Sequence, residues 1–279
     1  MGMRINSNLQ AMNAQRALWG TRKNMDSVMT KLSSGFRINR GADDAAGLAI
    51  SENMKAQMRG MKQANRNAQD GISLIQTAEG GLSEVANILI RLRELGVQAA
   101  SDTISDRERG LLDVEYGQML DEVDRIAEST QFNGTPILNG QGDKIDLQIN
   151  TRNNDFVDRI SFDMTAVDTT TSALGIDLAT VLNKDSARGS LEKIDFAINH
   201  LNSIRSDFGA IQNRLNSTVE NIQASVENLA VANSRIRDTD MAEETSELAK
   251  QNVLMQAGVS VLSQANQGNA LALQLLQKG

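Results

Sequence analysis

From Ile50 to Ala99, apolar or small residues recur at alternating spacings of three and four: Ile50, Met54, Met61, Ala64, Ala68, Gly71, Ile75, Ala78, Leu82, Val85, Leu89, Leu92, Gly96 and Ala99, interrupted only at Gln57. A mean period of about 3.5 is the seam of a coiled coil. One continuous helix over this span would be about 75–80 Å long at 1.5 Å per residue. A compact domain formed from 279 residues cannot enclose such a helix, so elongated partners must lie beside it.

Two other segments supply partners. Ser105 to Glu108 has the Ser-x-x-Glu form of a capping box and opens a predicted helix carrying Leu112, Tyr116, Met119, Val123 and Ile126. A longer helical pattern starts near Ser190 and carries Leu191, Ile194, Ile198, Leu201, Phe208, Ile211, Leu215, Ile222, Val226, Leu229 and Ile236. Aromatic residues make up only 3% of the chain and there is one Pro. The core is therefore built from Ala, Leu, Ile, Val and Met, which suit closely packed helices. The predicted fold class is mainly α, an elongated helical-bundle rod.

The helical pattern is broken once. FNGTPILNG, residues 132–140, holds the single Pro and two Asn-Gly pairs, strong local turn signals. Ile145, Leu147 and Ile149 then alternate with polar residues, and Phe156, Asp158, Ile160 and Phe162 follow Asn153, Asn154 and Asp155, which predicts a small β-hairpin near 143–163. Residues 165–190, rich in Thr, Asp and Ser, read as a short, variable surface connection.

Both ends lack charge. Residues 5–15 and 251–277 contain no Asp, Glu, Lys or Arg, whereas a solvent-facing helix carries charges on its outer side. Leu254, Met255, Val259, Leu262, Leu273 and Leu276 are spread too widely for one narrow stripe. Such a helix is explained if protein surrounds most of it. The N-terminal segment, with Ile5, Leu9, Met12, Leu18, Val28 and Leu32, is its first neighbour, and other copies of the chain must supply the remaining cover. The predicted N- and C-terminal helices pair, and stay poorly ordered until assembly.

Several chemistries are excluded. The chain has no Cys and one His, so disulfides, thiolate metal sites and two-His sites are absent. No nucleophile lies with a base, no cofactor fingerprint is present, and no cofactor is expected. A net charge of −7 without a basic run opposes nucleic acid and anionic membrane surfaces. No apolar run reaches the roughly 18 residues of a spanning helix, so membrane insertion is not expected, and the N-terminus has no signal-peptide pattern. Asp43 and Asp44 are read as structural, as are His200 and the Met54, Met58, Met61 group. Gly80 and Gly81 mark a crowded seam.

KLSSGFRINRGADDAAGLAI (31–50), QANRNAQDGISLIQTAEGGLSE (63–84), RLRELGVQAAS (91–101), TQFNGTPILNG (130–140), SDFGAIQNRLNS (206–217) and QAGVSVLSQANQ (256–267) resemble bacterial flagellin. The resemblance covers both ends and most of the middle, in order, without the large variable insertion of many members. It implies a filament subunit that polymerises for swimming motility and performs no catalysis. Residues 1–46 would form the N-terminal helix of the innermost core with its connecting segment. Residues 47–240 would form the rod, and 241–279 the C-terminal core helix. The implied partners are other flagellin subunits, the flagellar type III export apparatus, a chaperone on the C-terminal helix, and the filament cap and hook-junction proteins. The implied location is the extracellular filament. In some members the matching RLREL helix is recognised by a Toll-like receptor, and the contact positions fall on Arg91, Leu95 and Glu115. Two other readings are a hook-associated junction protein and a cytoplasmic signalling coiled coil; the dense match at 63–101 and 206–217 favours the filament subunit.

Overall fold

The computed structural model of the chain describes residues 8–277, with side chains described through residue 267. Among the described residues, six α-helices and four short strands follow in the order α1 (Leu9–Ser34), α2 (Ala45–Ala99), α3 (Asp106–Ser129), β1 (Gln131–Phe132), β2 (Thr135–Pro136), β3 (Lys144–Gln148), α4 (Asp155–Asp158), β4 (Arg159–Asp163), α5 (Lys184–Arg237) and α6 (Met241–Gln277), with one 3-10 turn at Met164–Ala166. The chain divides into two compact units. One is made from its two ends, through Ala56 and from Asn228 onward; the other is Gln57–Glu227. The expected boundaries at 46 and 240 fall at or near the connections between helices, whereas the compact units divide inside α2 and α5.

In the 57–227 unit the seam of α2 is the axis of the core. Ala64, Ala68, Ile75, Ala78, Leu82, Val85, Leu89, Leu92 and Ala99 are buried, joined by Leu74 and Leu95. From α5 come Ile194, Leu201, Phe208 and Leu215, and from α3 Tyr116, Val123 and Ala127. Burial pushes the Tyr116 phenol up to about 12. In the first turns of α2 the expected seam slips: Ile50 is exposed and Ser51 buried. Those turns belong to the terminal unit, and the Ser51 hydroxyl tolerates burial by donating to Leu48 O at 3.1 Å.

Arg109 joins α3 to the end of α2. Its side chain is buried, and it donates to Ala99 O at 2.9 Å and Ser101 O at 2.9 Å while pairing with Asp106 at 2.6 Å. It thus satisfies carbonyls that a helix C-terminus leaves open. At the other end of the connection, the Ser105 amide donates to the Glu108 carboxylate at 2.8 Å, the return arm of the expected capping box.

The hairpin forms close to its expected place, β3 antiparallel to β4, with Ile145 opposite Phe162 and Leu147 opposite Ile160. It lies along α2, because Asn67 Nδ2 donates to Gln148 O at 2.9 Å, and a Cβ on Gly71 would fall 2.3 Å from Leu147 Cδ1. Between its strands the one-turn α4 holds Phe156 93% exposed.

Residues 165–190 are not a surface connection. Val167, Leu174, Ile176, Ala179 and Val181 are buried, and so are Thr169 and Thr171. The polar residues that suggest solvent are bonded inward. Thr169 donates twice to Leu138 O, at 2.8 and 3.0 Å. Asp124 accepts from the Thr171 amide and hydroxyl, each at 2.7 Å, and Asp113 accepts from the Val181 amide at 2.8 Å. Two α3 carboxylates thereby clip the segment in place, and its short apolar residues complete the core.

The adjacent glycines of α2 differ. A Cβ on Gly81 would meet Leu138 Cδ1 at 2.7 Å and Thr130 Oγ1 at 2.8 Å, whereas Gly80 faces open space. Thr130 is β-branched and its hydroxyl is tied to Ile126 O at 2.7 Å, so it cannot easily yield. Gly80→Ala should therefore raise the unfolding free energy by about 1 kcal/mol through helix propensity. Gly81→Ala should lower it by about 1–3 kcal/mol through overpacking. Urea denaturation of the two variants measures the difference in sign.

Candidate functional site

The terminal unit is organised by an antiparallel pair, α1 and α6. Asn8 starts α1 by accepting from Ala11 N at 3.0 Å, and its Nδ2 donates to Ala265 O at 3.0 Å, binding the start of one helix to the later part of the other. Gly35, in the left-handed region at φ 73°, ends α1 with its amide on Lys31 O at 2.8 Å. Asp240 opens α6 by accepting from Ala242 N at 2.8 Å. Lys31 then pairs with Glu244 at 2.8 Å, an ion pair worth at most about 1 kcal/mol at this exposure.

Between these fixed ends the contact follows a heptad. On α1 the covered or half-covered positions are Ala11, Ala14, Leu18, Thr21, Met25, Val28 and Leu32, with Lys31 beside them; on α6 they are Glu244, Leu248, Gln251, Met255, Gly258, Leu262 and Ala265, with Glu247 beside them. Small residues toward the α1 start bring the axes close. A Cβ on Gly258 would lie 2.7 Å from Leu18 Cδ2. Hydrophobicity alone marks only Leu18, Met25, Val28, Leu32, Leu248, Met255 and Leu262; the intervening Ala, Gly and Thr are legible only as a 3–4 spacing of small residues.

The connection from α1 to α2 docks beside the junction of α5 and α6. Arg37 N donates to Arg237 O at 2.7 Å, Thr239 N to Gly35 O at 3.0 Å, and the Arg37 side chain to Ile236 O at 2.8 Å. The Arg237 guanidinium sits 4.8 Å over the Phe36 ring and pairs with Glu52. The two adjacent carboxylates accept from nearby backbone amides. Asp43 accepts from the amides of Arg40 and Asn39, which hold its carboxyl below the usual range, and Asp44 accepts from Gly47 N at 2.9 Å.

The expected assembly residues separate into two sets. Leu18, Val28, Leu32, Met255 and Leu262 lie in or beside the contact between the helices. Leu9, Met12, Leu254 and Val259 are exposed, together with Met29, Val253, Val261 and Trp19, the last at 76%. Ile5 lies outside the described residues, as do the side chains of Leu273 and Leu276. Leu18, Trp19, Met255 and Val259 line an open groove of about 710 Å³, bordered by Arg22 and Lys23. Exposed apolar side chains thus lie along both helices and at this groove.

The RLREL positions lie in the other unit. Arg91 reaches Glu115 at 2.7 Å and Glu94 at 3.0 Å on the surface. Glu115 and then Glu94 hold the guanidinium above its ordinary range. Leu95 is 1% exposed, packed in the core. It is therefore not a surface contact as the structure stands, because it falls on the buried seam with Leu92 and Ala99; the exposed apolar neighbour is Ile90. Among the described residues, no helix is long and apolar enough to cross a membrane, and no group of three His, Cys, Asp or Glu could hold a metal ion.

A helical chain whose ends pair through a heptad, yet leave much of their apolar surface uncovered, is built as an assembly subunit. Its first half, residues 5–143, matches the bacterial flagellin N-terminal helical region, and residues 191–276 match the bacterial flagellin C-terminal helical region. Over 275 residues it is 44% identical to the flagellin of Halalkalibacterium halodurans, covering 99% of this chain and 100% of that one. Against the flagellin of Bacillus subtilis the identity is 43% over 305 residues, with the same coverage. The crystal structure of Bacillus cereus flagellin superposes with a TM-score of 0.51 at 32% identity, covering 60% of this chain and 94% of that one. The chain belongs to the bacterial flagellin family and is a structural subunit of the flagellar filament.

The close contact at Gly258 gives a test of the pair. Gly258→Val should force Leu18 outward and cost the α1–α6 contact about 1–3 kcal/mol. Circular dichroism should show lost helix content, while the thermal transition of the 57–227 unit is retained.

Proposed function

We propose that the α1–α6 pair is the part of the chain that other copies bury, and that this burial drives polymerisation for swimming motility. The observation that carries the reading is the coincidence of two independent features. Residues 5–15 and 251–277 have no formal charge, and the described part of the same helices exposes Leu9, Met12, Trp19, Val253, Leu254, Val259 and Val261. Each such side chain contributes about 1.5–3 kcal/mol when fully covered. The work is mechanical: the subunit makes no covalent change to any ligand and needs no cofactor.

The rest of the reading follows from the family. The chain leaves the cell through the flagellar type III export apparatus, with a chaperone covering α6 beforehand, and reaches the extracellular filament. Cap and hook-junction proteins meet it there. For a Toll-like receptor, Arg91 and Glu115 are the accessible members of the trio, and Leu95 supports the Arg91 helix from inside.

Chains lacking residues 241–279 should keep the thermal transition of the 57–227 unit, yet stay monomeric when seeded with short filament fragments. Long filaments by electron microscopy would sink the proposal. In the full-length monomer, amides of α1 and α6 should exchange with solvent faster than those of α2 within 64–99 and slow down on assembly. Equal protection before and after would show that the pair gains nothing from the polymer.

A further inference from the structure

The chain contains two Asn-Gly pairs, Asn133-Gly134 and Asn139-Gly140, and the fold treats them oppositely. In such a pair the glycine nitrogen, once it loses its proton, can attack the asparagine side-chain carbonyl carbon, because no Cβ on the glycine obstructs the approach. Whether it does so depends on what holds that nitrogen and that side chain.

Asn133 and Gly134 are the two central residues of the turn between β1 and β2, where Phe132 pairs with Thr135. Their φ angles are 51° and 80°, the pattern of a type I′ hairpin turn. Both residues are exposed. Among the described residues, no acceptor meets the Gly134 N–H and no partner meets the Asn133 side-chain amide.

Asn139 and Gly140 have the same sequence signal and a different environment. Asn139 is half-buried and bridged to Asp168. The Gly140 N–H donates to Val167 O at 3.1 Å, and Asn139 Oδ1 accepts from Gln141 N at 3.1 Å. The Asp168 side chain packs against Gly140, its carboxylate oxygen 2.9 Å from where a Cβ would stand. A hydrogen-bonded amide beside a carboxylate loses its proton with difficulty, and the side chain is not free to turn toward it.

We infer that Asn133 is a site of spontaneous deamidation and that Asn139 is protected from it. The Gly134 nitrogen forms a bond to Asn133 Cγ, the Cγ–Nδ2 bond breaks, and Nδ2 leaves as ammonia with the proton that Gly134 gave up. Water then opens the resulting succinimide at either carbonyl carbon, leaving aspartate or isoaspartate at position 133. No oxidant or reductant takes part. The product adds one negative charge to a chain already at −7. The isoaspartyl form also lengthens the backbone by one methylene in the turn that precedes the buried Ile137 and Leu138.

The test uses the full-length chain held native at mildly alkaline and mildly acidic pH, then digested and mapped by mass spectrometry. Deamidation at Asn133 should exceed that at Asn139 by about tenfold or more, the effect of at least one protecting hydrogen bond and the nearby carboxylate. It should rise with pH, and the two rates should converge when the chain is unfolded in urea. Asn133→Ser should remove the acidic species that isoelectric focusing resolves with time. Equal native rates, faster reaction at Asn139, an unreactive Asn133, or an acidic species that survives Asn133→Ser would each overturn the inference.

Discussion

The fold of residues 57–227 depends on one apolar seam, the buried face of α2 from Ala64 to Ala99. Every other element of that unit is placed by how near it can approach this face. Where the seam residue is Leu or Val, the neighbouring α3 and α5 supply complementary side chains from Tyr116 to Phe208. Where it is Gly, backbone-level contact becomes possible: Gly71 admits Leu147 of the hairpin, and Gly81 admits Thr130 and Leu138. Side-chain volume along a single helix thus decides which partner docks at which turn. The polar contacts serve a different purpose. Arg109 on the carbonyls of Ala99 and Ser101, and Asp113 and Asp124 on the amides of Val181 and Thr171, fix ends and edges that apolar packing leaves free to slide.

The terminal pair uses the same heptad geometry to a different end. Several of its inner positions are small, Ala11, Ala14, Gly258 and Ala265 among them, so α1 and α6 approach closely there while burying little area. Larger apolar side chains, Trp19 above all, are turned outward. Two helices can cover only one face of each other, and the charges that would make the outer faces comfortable in water are missing over residues 5–15 and 251–277. In the proposed assembly that cover comes from other subunits of the filament.

Much of this is legible in the sequence, for reasons particular to each element. The α2 seam can be read almost residue by residue from Met61 onward, because a long helix repeats its environment and a 3–4 spacing accumulates. The hairpin is legible from alternation at Ile145, Leu147 and Ile149. Three things are hidden. Residues 165–190 read as surface because Thr169 and Thr171 look hydrophilic until their carbonyl and carboxylate partners, Leu138 O and Asp124, are known. Arg109 gives no sign of burial, since its acceptors are backbone carbonyls that any sequence possesses. Leu95, which the resemblance pairs with Arg91 as a contact position, lies only a little round the helix from it, yet falls on the buried seam with Leu92 and Ala99. Local periodicity shows which residues share a face; it does not show which face a distant segment will cover.

The two kinds of burial place different parts of one chain under different thermodynamic control. The core around Leu82, Leu89, Ile194 and Phe208 is complete within one chain, so its stability is independent of protein concentration. In the proposed assembly the terminal pair gains further apolar burial from its neighbours, so its stability follows mass action and rises with each neighbour added. In the proposed assembly, any ordering of α1 and α6 that accompanies burial has a conformational cost, which weakens the first contacts between free subunits relative to addition at an existing end. A filament assembled on that proposal would grow at ends already formed rather than condense from solution. That proposal rests on the absence of charge at residues 5–15 and 251–277, combined with a core complete within one chain in the middle.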